Sequence, residues 1–235
     1  MTDAGRRAEL AASLERVRER IARACAAAGR PPDAVTLTAV TKTYPASDVL
    51  LLAGLGVTDV GENRDQEAAA KAAAVRAGGA APRWHFIGQL QRNKAKSVIG
   101  YADVVESVDS VRLAEALGRA AADREVPLEV LVQVSLDGDP ARGGVTGDDL
   151  WRVSDAVASS PGLRLGGLMA VAPLGEDPGQ AFARLAVVAA EMASRHPGST
   201  TVSAGMSGDL EAAILHGATH VRIGTSLLGM RNSLR

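Results

Sequence analysis

The sequence predicts an α/β fold of the (β/α)8 TIM-barrel type with an extra N-terminal helix. Three observations carry that expectation. Strand-like runs alternate with helical stretches eight times along 235 residues. Several runs are apolar at successive positions, as strands covered on both faces should be. The first run is followed by "TKTYP" instead of a glycine-rich dinucleotide loop, which argues against an open doubly wound sheet.

The opening helix is read over 8–28. Leu10, Leu14, Val17, Ile21, Ala24 and Ala28 recur at three- and four-residue spacing, and Gly29 stops the pattern. Strands are then expected at 35–41, 58–61, 84–88, 103–106, 129–134, 164–169, 201–203 and 221–223. Helical patterns are expected at 47–55, 66–77, 91–99, 111–125, 147–158, 178–194 and 209–216. Repeats of roughly 25–30 residues in a chain near the usual ~250 favour closure into a barrel. "RAGGAAPR" and "LDGDPARGGVTGDD" read as loops, and nothing resembles a linker. One domain over 1–235 is expected, with the leading helix within 1–30 and the barrel over 35–229.

Composition narrows the function classes. The chain is 46% hydrophobic and 23% charged with a formal net charge of −1, so bulk electrostatics draw no polyanion. Aromatics at 3% leave little for base stacking, which disfavours nucleic acid. Cys25 is the only cysteine, so no intrachain disulfide forms. The charged N-terminus and the lack of an 18-residue apolar run fit neither a signal peptide nor a membrane span. A reducing, cytoplasmic compartment is the expectation.

Barrel chemistry sits at the C-terminal ends of the strands. Specific polar residues fall there: Lys42 after the first strand, "GEN" with Asn63 after the second, His85 within the third, and "ESVDS" at the fourth. "SAGMSGDLEAAI" sets Gly205, Met206, Ser207 and Gly208 before a helix, and "RIGTS" sets Gly224 and Thr225 after the last strand. Alone, the first of these reads as a serine cap with Asp209 in the first turn. Two such turns in the seventh and eighth loops, where barrels commonly hold phosphate, favour an anion cradle.

An isolated lysine at a strand end ordinarily snorkels to solvent. Opposite a phosphate cradle, Lys42 can instead attack an aldehyde to form a Schiff base. Pyridoxal 5′-phosphate (PLP) offers both aldehyde and phosphate, and Arg222, just before the last turn, could face its pyridine nitrogen. A phosphate-ligand barrel enzyme without PLP, using Lys42 as a base or cation, stays open on the residues alone. His216 and His220 have the spacing of a zinc pair, but Gly217 lies between them and no glutamate follows the first. No metal site is expected.

The stretches "AVTKTYP", "GENRDQE", "WHFIGQLQRNK", "ESVDS", "GLMAVAP", "SAGMSGDLEAAI" and "VRIGTSLLG" resemble the YggS/PROSC family of pyridoxal phosphate homeostasis proteins, in order from about Val35 to Gly229. That family is similar in fold to the N-terminal barrel of alanine racemase. The resemblance implies Lys42 as the Schiff-base lysine and Ser207 with the amides of Gly224 and Thr225 as phosphate ligands. It implies Arg222 at the pyridine nitrogen, Asn63 and His85 near the ring, and Met206 and Gly205 along the phosphate loop. It implies a carrier that buffers or delivers the cofactor; PLP-dependent apo-enzymes as recipients and effects on amino-acid balance are expected, and the lack of a second, racemase-type domain makes a monomer the expectation. A low-activity PLP-dependent amino-acid racemase is the alternative. Departures from the family pattern are Tyr44, Arg64, Asp65, Gln89 and Arg142.

Overall fold

The computed structural model describes residues 2–139 and 142–229. Residues 140 and 141 of the loop expected after the fifth strand lie outside the described residues, as do Met1 and 230–235.

The leading helix α1 spans Asp3–Ala27, five residues longer at its start than its apolar stripe implies. Thr2 caps it by accepting the Gly5 N–H, and Asp3 sits favourably in the first turn. At its end Gly29 takes φ +65, the Gly29 N–H reaches the Ala26 carbonyl and the Arg30 N–H reaches that of Cys25. The stripe Leu10, Leu14, Val17, Ile21 and Cys25 is buried.

Then follow β1 (Thr36–Val40), α2 (Ala46–Ala53), β2 (Asp59–Glu62), α3 (Asp65–Ala77) and β3 (Arg83–Phe86). A 3-10 turn (Arg92–Lys94) leads into α4 (Ala95–Val98), β4 (Val104–Val108), α5 (Val111–Ala121) and β5 (Leu128–Val134). The chain continues through α6 (Gly147–Ala158), β6 (Leu163–Ala170), α7 (Pro178–Arg195), β7 (Thr201–Ser203), α8 (Leu210–Leu215), β8 (His220–Ile223) and α9 (Thr225–Leu228). The fourth connection, expected as one helix over 91–99, is thus a 3-10 turn and a single α turn. Ile99 and Gly100 follow that α turn, and Val98 and Ala95 are its buried residues. The short helix α9 was not expected.

The eight strands form a closed barrel in sequence order. Every pairing is parallel, and β1 closes on β8 with Thr36 opposite His220 and Ala39 opposite Ile223. The main core lies between barrel and helices, and it includes Ala39, Val60, Phe86, Val105, Val130, Leu168 and Val221 from alternate strand positions. A second, small apolar cluster of Val104, Leu131 and Met169, with Val171 against it, fills another part of the molecule. By strand alternation these residues face the barrel interior, on the side of β4 to β6. The opposite side of the interior is polar.

Candidate functional site

The polar side of the interior is built from side chains that single strands place at period two. His85 of β3 is 2% exposed and lies between two carboxylates, with Nε2 2.9 Å from Asp59 and Nδ1 2.6 Å from Glu106. Ionised carboxylates only accept, so both ring nitrogens donate and the ring is an imidazolium. Burial alone would lower the His85 pKa; the two carboxylates outweigh it and raise it to about 9. Burial would likewise raise Glu106, and the His85 and Arg222 cations hold it at about 2.

Glu106 passes the connection on. Its Oε2 accepts from the Ser203 hydroxyl at 2.6 Å and lies 3.7 Å from Arg222 Nη1. That same Nη1 donates to both the carbonyl and the hydroxyl oxygen of Ser203 at 2.7 Å, while Nη2 donates to the Ala170 carbonyl at 2.8 Å. Burial lowers Arg222 from its ordinary value, yet a guanidinium between a carboxylate and two carbonyls stays charged. Asp59, His85, Glu106 and Arg222 therefore form an internally neutral chain running across the barrel to Arg222. Thr38 on β1 is fully buried, and its hydroxyl oxygen has no hydrogen-bond partner among the described residues.

At the rim above, Lys42 stands two residues past β1 with an exposed side chain. Its neighbours are fixed. The Thr41 N–H donates to the Gly61 carbonyl at 3.0 Å and its hydroxyl to Glu62 Oε1 at 2.6 Å. Thr43 takes φ +70, the single non-glycine positive φ among the described residues, and its N–H donates to Glu67 Oε1 at 2.8 Å. The Tyr44 hydroxyl donates to the Gly229 carbonyl at 2.7 Å, tying the Lys42 turn to the end of α9.

The two late loops meet. Ser207 does not cap α8; its hydroxyl accepts the Ser226 N–H at 3.3 Å, joining the loop after β7 to the start of α9. Asp209 is the residue at the α8 cap, and its carboxylate turns back to the Met206 N–H at 2.6 Å. Gly205 has φ +91, and a Cβ there would come within 2.6 Å of the Ala213 Cβ, so the loop's path demands glycine. Helix α1 braces both loops. Arg20 donates to the Ser207 carbonyl at 3.1 Å and pairs with Glu211, while Arg6 donates to the Leu228 carbonyl at 3.2 Å and pairs with Asp48. Gly224 lies beside Val40, 3.5 Å from its Cβ to an added methyl, which puts the last loop next to the strand that presents Lys42.

The residues singled out in the sequence thus divide by level. Lys42, Asn63, Ser207, Gly224 and Thr225 follow the C-terminal ends of their strands, Asn63 half-buried directly after β2 and Thr225 exposed at the first position of α9. Met206 shares the late loop but is 40% exposed. Arg222 and His85 sit inside the barrel, and His85 has both nitrogens engaged, so its link to the rim runs through Glu106 and Arg222. Gln89 is exposed, and Arg142 pairs with Asp137 and donates to the Ala172 carbonyl at 2.8 Å, bracing the loops after β5 and β6.

Sequence reasoning missed Asp59, Ser203 and Lys71, and gave Glu106 no partner. The available signal was charge inside apolar strands: an acid in "TDVGE", another in "VVES", and an arginine in "VRIG". Lys71 gave a comparable signal, a lone cation in the alanine run "AAAKAAAV".

This arrangement fits pyridoxal phosphate. The exposed Lys42 amine, the Ser207–Ser226 junction and the Gly224 turn line one rim. Nothing lies within 4 Å of a methyl added at Gly208, so the loop leaves room above it.

Comparison with known proteins places the chain. Residues 12–232 match the family model "Alanine racemase, N-terminal domain". The chain is 44% identical over 240 residues to the pyridoxal phosphate homeostasis protein of Mycobacterium leprae, covering 95% of this chain and 93% of that one. It is 38% identical over 228 residues to the protein of the same name from Escherichia coli strain K12, covering 95% and 97%. Among solved structures, PipY of Synechococcus elongatus with PLP bound matches with a TM-score of 0.78 at 35% identity, covering 89% of this chain and 100% of that one. The closed eight-stranded barrel, the order of its motifs and these likenesses agree: the chain belongs to the pyridoxal phosphate homeostasis proteins of the alanine racemase N-terminal domain family.

Proposed function

We propose that the protein binds pyridoxal 5′-phosphate and acts in its homeostasis, holding the cofactor and delivering it to PLP-dependent apo-enzymes. The names of its relatives and the PLP-bound PipY structure support the cofactor. One observation carries the assignment to residues. The Lys42 turn and the loops joined by Ser207 and Ser226 come from neighbouring parts of the same rim, β1 closing on β8.

In this reading Lys42 is the Schiff-base lysine, its nitrogen bonding to the aldehyde carbon with loss of water. Bound PLP supplies that aldehyde and an electron-withdrawing ring. Ser207 and the amides of Gly224 and Thr225 hold the phosphate, with Gly205 and Met206 shaping the loop. Arg222 faces the pyridine nitrogen, and as a permanent cation it disfavours protonation there. Asn63 lies near the ring, and His85 acts on Arg222 through Glu106. Tyr44 donates to Gly229, which works against its serving as an acid or base at the cofactor and favours the carrier over a racemase. Among the described residues no helix is long and apolar enough to cross a membrane, and the protein is read as one cytoplasmic domain that works as a monomer.

The test is the visible spectrum of purified protein with added PLP, followed by borohydride reduction and peptide mass mapping. A visible band and a pyridoxyl mass on the Lys42 peptide, both lost in Lys42→Ala, are expected. A label scattered over surface lysines would overturn the assignment. Transfer of cofactor from loaded protein to an apo-enzyme, without turnover of amino acids, separates carrier from racemase.

A further inference from the structure

Beside Lys42 lies a second lysine that the proposed function does not use. Lys71 of α3 is 6% exposed, and its ammonium has three protons and three acceptors. Nζ donates to Glu62 Oε1 at 2.6 Å, to the Thr41 carbonyl at 2.8 Å and to Glu67 Oε1 at 3.3 Å. Glu62 Oε1 also accepts from the Thr41 hydroxyl, and Glu67 Oε1 from the Thr43 N–H. Every member of this cluster therefore ends on one of the two residues that flank Lys42.

We propose that Lys71, with Glu62 and Glu67, is a positioning device that presents Lys42 to its ligand. The inference rests on Lys42 being the cofactor-binding amine. A cation serving only to pin α3 to the barrel would need the Glu62 carboxylate alone. Here the ammonium also grips the backbone just before Lys42, and through Glu67 the backbone just after it. The backbone records the consequence. Thr43 is β-branched, and a positive φ is unfavourable for it. Such a conformation persists only where its surroundings over-determine it, and the Glu67 carboxylate on the Thr43 amide supplies that determination. Lys42 is left as the one pivot between two clamped residues, its side chain exposed and free to reach the cofactor, while Lys71 is fully occupied and cannot compete for it. One turn thus holds a reactive lysine and a structural lysine, and the hydrogen bonds decide which is which.

Two variants test the device on the full chain. Glu67→Ala removes the acceptor of the Thr43 amide at a partly exposed site. Lys71→Met with Glu62→Gln removes the ammonium without stranding a buried charge. Two quantities are read on samples shown folded by circular dichroism. They are amide hydrogen exchange at Thr43, which needs no cofactor, and the rate of borohydride-trapped PLP labelling at Lys42. Faster Thr43 exchange and a Lys42 labelling rate reduced roughly ten- to a hundred-fold are expected, since small misplacements of a reacting group cost that much. Thr43→Gly added to Glu67→Ala should recover part of the rate, because glycine adopts the turn without strain.

Unchanged Thr43 exchange in both variants would overturn the clamp. Faster exchange with a wild-type labelling rate would show that the turn's order does not govern Lys42, and would overturn the proposal equally. Absence of Lys42 labelling in the wild-type protein would instead defeat the cofactor assignment on which the inference rests, and Thr43 exchange would still report whether the clamp exists.

Discussion

His85 donates to Glu106 across 2.6 Å inside the barrel, and the second oxygen of Glu106 faces Ser203 and Arg222. A buried imidazolium therefore stands one carboxylate away from the arginine proposed to meet the pyridine ring. The pair contributes pH dependence to the stability of the fold from both sides of neutrality. His85 is raised from 6.5 to about 9, so its contribution is complete below 6.5 and disappears as pH rises through 9. Glu106 is lowered from 4.5 to about 2, so its contribution is complete above 4.5 and disappears as pH falls through 2. Urea midpoints should be highest between those ordinary values and decline on both sides. His85→Gln should flatten the alkaline decline. An alkaline decline of wild-type steepness in that variant would show that other groups cause it.

The same variant should destabilise the protein outright. Removing one partner of a buried ion pair costs about 3–5 kcal/mol, because Asp59 and Glu106 would be left facing a neutral amide. The measurement is equilibrium unfolding, with a lowered midpoint and an unchanged denaturant slope as the expected result.

Ser207→Ala should weaken PLP roughly ten- to a hundred-fold, the cost of a hydrogen bond to a charged group. Its specific signature is a comparison with unphosphorylated pyridoxal, whose weaker binding should be unaffected by the substitution. An equal loss for both ligands would place Ser207 elsewhere than at the phosphate.

Tyr44→Phe removes the bond to Gly229 that links the Lys42 turn to the end of α9. Release of cofactor to a trapping apo-enzyme should quicken about two- to ten-fold, the scale of one hydrogen bond, with unfolding little changed. Unaltered release would mean that these two segments separate independently of the latch.

Much of the architecture is legible from local signals. The stripe Leu10, Leu14, Val17 and Ile21 marks α1, and its start was misjudged only because Thr2 and Asp3 act through a cap instead of an apolar pattern. The strands were located to within about two residues, since β-branched runs bounded by glycine and polar residues are short-range features. The connection at 91–99 was overextended because apolar periodicity does not separate a 3-10 turn from an α-helix.

The rim was legible and the interior was not. Lys42, Ser207 and Gly224 follow strands, so their level in the barrel is implied by position in the sequence. The partners of His85 come from β2 and β4, those of Arg222 from β6 and β7, and nothing within either segment names them. Tyr44 shows the same limit: its hydroxyl pairs with a carbonyl 185 residues away.

By itself the sequence determined the order of eight strands and of the helices between them, the end of the barrel where chemistry belongs, and the family motifs that point to the cofactor. Those properties follow from periodicity and local composition, which act over a few residues. Tertiary structure alone decided that the barrel closes, that a neutral chain of charges crosses its interior, and that Lys71 grips the turn before Lys42 directly and after it through Glu67. These depend on groups brought together from distant segments, where burial makes each hydrogen bond costly to lose and so selects one partner.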